Sequence, residues 1–317
     1  MRMGKIILVI GLSCVVLVGS AIGGGFCALK QLIGQKYNYL NVEWNDSVGT
    51  IVKDLTYGER PLNNYDLYLP ADSGKDGYSL ICYIHGGGFT GGDKYDSGIS
   101  RYGQYFASKG YIMASINYTL AAKDVKADLN LMYEELVAAI NEVVRYCAEQ
   151  GYHITELATT GESAGGCLAM LTAFRNPERL CVPVRFVFQQ TGPACFDPTL
   201  WGNADAKAQA DFVNMMTGKT FTEEDVGTPA FQAAIDEISP CAHVNENTVP
   251  VILAYGPNDK VVPPVVKLPL LEALEKCGVV HDFIEFPNSG HGLLSDSDKM
   301  QAYYQTMEDY FGRYFTN

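Results

Sequence analysis

Apolar residues along this 317-residue chain fall into three patterns. One is a continuous run: positions 6–29 hold 24 residues without a charge. Another is a series of short apolar runs bounded by turn residues, at 80–84, 111–117, 184–188, 249–255 and 280–286, which read as strands. The third has helical spacing. Leu136, Ile140, Val143, Val144 and Cys147 place a long amphipathic helix at 129–149, stopped by Gly151. Further helices are predicted at 98–109, with Gly110 as the stop, and at 265–276 and 297–315. Two early runs, 51–57 and 65–69, alternate like an antiparallel strand pair turned at Pro61 and Asn63-Asn64. The stretch 37–47 reads as a linker or a first contact with the domain.

Strands alternating with helices, and strands apolar on both faces, predict a three-layer α/β domain with a mostly parallel central sheet. The pattern breaks at 192–239. That stretch carries Phe196, Trp201, Phe212, Met215, Met216, Phe221 and Phe231 with little strand character. The chain length suits one large catalytic domain over 31–317, and no repeat or second domain of independent size is visible.

The run at 6–29 would span about 36 Å as a helix, enough for a hydrocarbon core of about 30 Å. With Arg2 and Lys5 before it, 1–30 is expected to be a membrane anchor or a signal sequence. Its length favours an uncleaved anchor, although small residues around Ser20 and Gly23 offer weak cleavage sites. Lys30 and Lys36 roughly balance Arg2 and Lys5, so charge sets orientation only weakly. The expected arrangement is a single N-terminal anchor with the domain outside the cytoplasm, the alternative being secretion after cleavage.

The net charge of −13, with no basic cluster, argues against a nucleic-acid partner. Nine cysteines include no C-x-x-C pair, and an odd number leaves at least one thiol unpaired. Cys82 and Cys167 read as small buried hydrophobes. Scattered thiols fit a reducing setting, in tension with export.

Two motifs carry chemistry. Gly161-Glu162-Ser163-Ala164-Gly165-Gly166 follows a short apolar run at Leu157 and Ala158 and precedes a helical run at 167–174. Strand, sharp turn and helix are the setting in which G-x-S-x-G exposes a nucleophilic serine. With 32 glycines in 317 residues, the motif alone is expected by chance in roughly one such chain in seven. His85-Gly86-Gly87-Gly88, upstream at the end of the 80–84 strand, makes coincidence untenable.

On these residues the chain resembles the α/β-hydrolases of the esterase/lipase branch, which includes hormone-sensitive-lipase-like and acetyl-esterase-like enzymes. The resemblance rests on HGGGF at 85–89, Gly91 to Lys94, Asn117-Tyr118, GESAGG at 161–166, Ser239-Pro240 with His243-Val244, Gly256 to Asp259 with Val262-Pro263, and Ser289 to Gly292. It runs from about Arg60 to about Tyr314, and its motifs are specific for fold and triad, weak for substrate. It implies that 192–239 is a helical cap insertion over the site. It also implies an oxyanion hole from the N–H groups of Gly87, Gly88 and Ala164.

A serine hydroxyl needs a base, and the base needs a carboxylate to orient it. Of five histidines, His291 lies in a Ser-Gly-His-Gly turn beyond the last strand and completes the order Ser, Asp, His expected of this fold. His85 supports the oxyanion loop, and His153, His243 and His281 are structural or surface residues. Asp259, in the loop after 249–255, is the expected acid. Asp282 falls in a strand and Asp296 at a helix start. Glu162 is assigned a structural part. Thr119 stands where an arginine often follows Asn-Tyr, and Glu135 where an aspartate is frequent. No metal cluster or dinucleotide fingerprint is seen, so no cofactor is expected.

The expected activity is therefore hydrolysis of carboxylic esters, short acyl esters foremost, by Ser163, His291 and Asp259 through an acyl-enzyme. A serine peptidase, or an amidase or sugar deacetylase, would use the same fold. From another class, a membrane-tethered binding module on a dead scaffold is the rival, against which the intact triad and HGGG both argue.

Overall fold

The computed structural model describes residues 36–317 apart from 73, 97, 123, 124 and 126. The predicted anchor at 1–30 lies outside the described residues. Among those described, no helix is long and apolar enough to cross a membrane.

Eight strands form one sheet: β1 (Gly49–Thr56), β2 (Asn64–Pro70), β3 (Tyr78–Ile84), β4 (Ile112–Ile116), β5 (Ile154–Glu162), β6 (Val184–Gln190), β7 (Val251–Tyr255) and β8 (His281–Glu285), ordered β1-β2-β4-β3-β5-β6-β7-β8. The β1–β2 and β2–β4 pairs are antiparallel and the rest parallel. All seven residues of β3 are buried, as a strand covered on both faces requires.

Among the described residues, seven α-helices follow in chain order: α1 (Ile99–Ser108), α2 (Leu129–Glu149), α3 (Ala164–Phe174), α4 (Ala206–Thr217), α5 (Pro229–Ile238), α6 (Leu268–Lys276) and α7 (Ser297–Tyr314). One core layer packs α2, α3 and α6 against Leu80, Cys82 and Ile84 of β3. The opposite layer packs α1 and α7 against Ile81 and Tyr83, joined by Tyr37 and Leu40 from the start of the described chain. The 37–47 stretch is thus a first contact with the domain, and it meets the last helix. Tyr39 stacks on Tyr304 with centroids 5.3 Å apart and donates to Glu308 at 2.9 Å.

Two element expectations change. Helix α6 begins at Leu268, preceded by a tighter turn at Pro264–Lys267. Pro269 lacks an N–H and its ring would strike the carbonyl four residues earlier, so it is tolerated only in the first turn. Strand β5 is longer than its apolar stretch and buries Glu156, Thr159 and Thr160. These polar groups are tolerated because they find partners: Thr159 donates to the Ala169 carbonyl at 2.8 Å, and Glu156 holds the chain terminus. The 192–239 stretch, expected to be a helical insertion, contains the two helices α4 and α5. All seven cysteines from Cys82 to Cys277 carry free thiols.

Candidate active site

The site sits at the carboxyl ends of the parallel strands. Between β5 and α3 the chain turns at Ser163, which is held at φ 56° and ψ −125°. That is a costly conformation for a residue with a side chain, sustained by its surroundings. The turn is forced by close crossing: a Cβ on Gly165 would collide with the Ile84 carbonyl of β3. Ser163 N–H donates to the Gln190 carbonyl of β6 at 2.8 Å, tying the turn to the sheet.

Ser163 Oγ lies 2.8 Å from His291 Nε2, and His291 Nδ1 lies 2.7 Å from Asp259 Oδ2. Asp259 is buried, and its other oxygen accepts from the amides of Val261 and Val262 at 2.8 and 2.9 Å. These two bonds leave the carboxylate with one direction to face. The loops bearing Asp259 and His291 are packed together, Asn258 N–H donating to the Ser289 carbonyl at 3.2 Å. Asp296 fixes the histidine loop from behind, accepting from Ser289 Oγ at 2.5 Å and Asn288 Nδ2 at 2.8 Å. Burial alone would raise its carboxyl, but these donors hold it below the usual aspartate value.

The loop after β3 faces Ser163. Gly87, at φ 111°, and Gly88, at φ 62°, take left-handed conformations, and a Cβ on Gly87 would collide with the Gly91 carbonyl. Among the described residues, no backbone carbonyl takes up the N–H of Gly87, Gly88 or Ala164. His85 braces this loop. Its ring stacks on Tyr118 at 4.4 Å, and its Nδ1–H donates to the Gly86 carbonyl at 2.7 Å. Burial pushes its imidazole below the ordinary histidine value, which keeps it neutral. The far end of the loop is pinned by Lys94, fully buried, whose Nζ is 2.7 Å from Asp54 and 2.8 Å from Asp66. Burial acts to lower the Lys94 ammonium, yet the two carboxylates hold it above the ordinary lysine value.

The other histidines lie apart from this chain of bonds. His153 gives its carbonyl to Tyr78 N–H, His243 Nε2 meets the Glu237 carbonyl, and His281 Nδ1 meets the Val279 carbonyl. Asp282 is in the edge strand β8. The two departures from the family pattern meet each other: Glu135 accepts from Thr119 N–H at 2.7 Å and from its hydroxyl at 2.6 Å. Glu162 is paired with Lys36 at 2.8 Å.

A cleft of about 720 Å³, counted to its open mouth, begins at Ser163 and is lined by Ala164, Met132, Trp201, Met216 and Val262. Of the seven aromatic and methionine residues marked in 192–239, Trp201, Met215 and Met216 reach it. Phe196 stacks beneath Trp201 at 5.7 Å, while Phe221 and Phe231 pack on each other. Sequence reasoning missed the contribution of α2, whose Leu129 and Met132 also line the cleft. Their apolar side chains give no signal that separates a cleft wall from a core face.

Residues 65–274 match the family model described as BD-FAE. The chain belongs to the BD-FAE family. This BD-FAE chain thus lies in the esterase/lipase branch of the α/β-hydrolase superfamily. It is 31% identical to kynurenine formamidase of Danio rerio over 125 residues, covering 39% of each chain. It is 29% identical to esterase LipI of Mycobacterium tuberculosis over 148 residues, 44% of this chain and 45% of that one. The matches thus span less than half the length of these two curated relatives. Among solved structures, a truncated carbohydrate esterase from gut microbiota superposes with a TM-score of 0.67 at 21% identity, covering 86% of this BD-FAE chain and 99% of the other.

Proposed function

We propose that this chain hydrolyses carboxylic esters through an acyl-enzyme, with Ser163 as nucleophile, His291 as proton shuttle and Asp259 as the group that orients His291. The observation that carries this reading is the unbroken bond chain from Ser163 Oγ through His291 to Asp259, at 2.8 and 2.7 Å. Ser163 Oγ attacks the ester carbonyl as His291 Nε2 takes its proton. The carbonyl oxygen becomes an oxyanion, met by the N–H groups of Gly87, Gly88 and Ala164 at the N-terminus of α3. His291 then gives the proton to the departing alkoxide, which leaves the acyl group on Ser163. Water repeats the sequence in reverse roles and releases the acid.

The acyl group fits the cleft under 192–239, which we assign as a cap. Trp201 and Met216 line its apolar wall, which supports a preference for short acyl chains. Amide hydrolysis by the same machinery is a second reading, favoured by the likeness to a protein named kynurenine formamidase. We also assign 1–30 as an N-terminal anchor holding the domain outside the cytoplasm. The deciding experiment is labelling by a fluorophosphonate, followed by turnover of matched acyl esters and amides. Ser163 is the expected label site, with esters turned over faster. A label elsewhere, or no turnover of either class, would overturn the proposal.

A further inference from the structure

The start of the described chain ends up directly behind the nucleophile. Lys36 is buried, and its Nζ lies 2.8 Å from Glu162 Oε2. Tyr37 donates to the other oxygen of Glu162 at 3.3 Å, and Tyr304 of α7 donates to the Lys36 carbonyl at 3.2 Å. Glu162 is the last residue of β5 and is bonded through the backbone to Ser163. Its carboxylate therefore stands one residue from the atom that attacks.

Among the described residues, five phenols and one further cation share the surroundings of that carboxylate. Tyr37, Tyr83 of β3, Tyr102 of α1, and Tyr303 and Tyr304 of α7 all face it. Their phenols are raised above the ordinary tyrosine value, by burial first and with the Glu162 charge adding to it, so they stay neutral. Arg101 of α1 adjoins Tyr37 and Tyr304. On the other side of Ser163 stand His291 and the Asp259 carboxylate. Among the described residues, Lys36 forms the direct ion pair with Glu162, 2.8 Å apart.

A bare carboxylate at this place would oppose negative charge on the oxyanion and would favour the imidazolium in the resting site. We propose that Lys36 is a positioning residue for hydrolysis: its ammonium cancels and fixes the Glu162 charge, leaving Asp259 and the oxyanion donors to set the field at Ser163 and His291. The inference rests on the triad reading above. A mere clasp for the N-terminal segment would use the same contact, but it would not give opposite electrostatic signs when either partner is neutralised.

The test compares Lys36→Met, Lys36→Arg, Glu162→Gln and the Lys36→Met/Glu162→Gln double variant in the full chain, with Ser163→Ala as control. The readouts are kcat and KM for p-nitrophenyl acetate across pH. Lys36→Met removes the ammonium that contacts Glu162, so the acid limb of kcat/KM moves up by about half a pH unit and kcat falls about tenfold, with KM within about twofold. Glu162→Gln leaves an uncompensated cation and moves the limb down. The double variant returns toward the parent, and Lys36→Arg retains the parent profile. Limbs that move the same way or not at all, or a kcat loss that the double variant does not repair, would overturn the assignment. If Lys36→Met does not fold, the downward limb of Glu162→Gln still decides. An active Ser163→Ala would sink the triad reading instead. An inactive one, with parent-like profiles in the other variants, would sink only the Lys36 assignment.

Discussion

At the scale of the residue, Ser163 combines an unfavourable backbone with a hydroxyl aimed at His291. Its replacement by alanine is expected to lower kcat by several orders of magnitude and leave the circular dichroism spectrum unchanged. His291→Ala should be about as damaging, and the double variant hardly worse than either single, because nucleophile and base act as a unit. Asp259→Asn should cost about 10⁴ in kcat by stabilising the wrong imidazole tautomer. A folded Ser163→Ala protein with parental turnover would refute this account. These three positions were readable in the sequence because their chemistry forces rare neighbours: glycines about the serine, a turn about the histidine, a loop about the acid. Their supports were not. Asp296 reads as a helix start, and nothing local says that its oxygens hold Ser289 and Asn288. Lys36 and Glu162 are 126 positions apart, and no spacing rule joins them.

At the scale of the element, helix α4 brings Met215 and Met216 to the cleft and the turn before it brings Trp201. If these residues close the acyl site, the parent should prefer chains of roughly C2 to C6, each methylene contributing up to about 0.8 kcal/mol only while it finds room. Trp201→Ala and Met216→Ala should move that optimum to longer chains. A parental rate rising steadily to C12, measured on p-nitrophenyl esters, would reject the closed cleft. Strand β5 yields a second expectation. Glu156 is buried and accepts from Ser79 Oγ at 2.9 Å, Arg185 Nε at 2.8 Å and Thr316 N–H at 2.6 Å. Burial alone would raise its carboxyl, but these donors hold it below the ordinary value of 4.5. Its contribution to stability is therefore complete above that value and is lost as pH falls through the lowered one. Glu156→Gln should destabilise by about 1–3 kcal/mol at pH 7 and by less at pH 3, read from urea midpoints at both. An equal loss at the two pH values would refute the linkage. Most strands and helices were legible because period-2 and helical patterns persist wherever burial is one- or two-sided. Strand β5 was cut short in that reading because its outer residues are polar and become buried only through partners distant in sequence.

At the scale of the whole molecule, the alternation of strands and helices was sufficient for the layered sheet, while the proposal that 192–239 caps the site came from family likeness, since periodicity does not encode what a helix pair covers. The uncharged run at 6–29 makes its own demand. Full-length protein should sediment with membranes and resist carbonate extraction, whereas native soluble protein beginning near Ala21 or Gly24 would show a cleaved signal. The meeting of the two ends of the domain bears on the order of assembly. Tyr39 is pinned by Tyr304 and Glu308, and Lys36 by Tyr304, across about 270 positions of chain. During synthesis, residues 36–40 cannot settle behind Ser163 until α7, about 270 positions later, has followed them. A nascent chain that already holds the serine, the acid and the histidine therefore still lacks this backing. In refolding, esterase activity should trail the recovery of helical signal, because residues 36–40 and helix α7 must find each other across the length of the domain before the turn at Ser163 is seated.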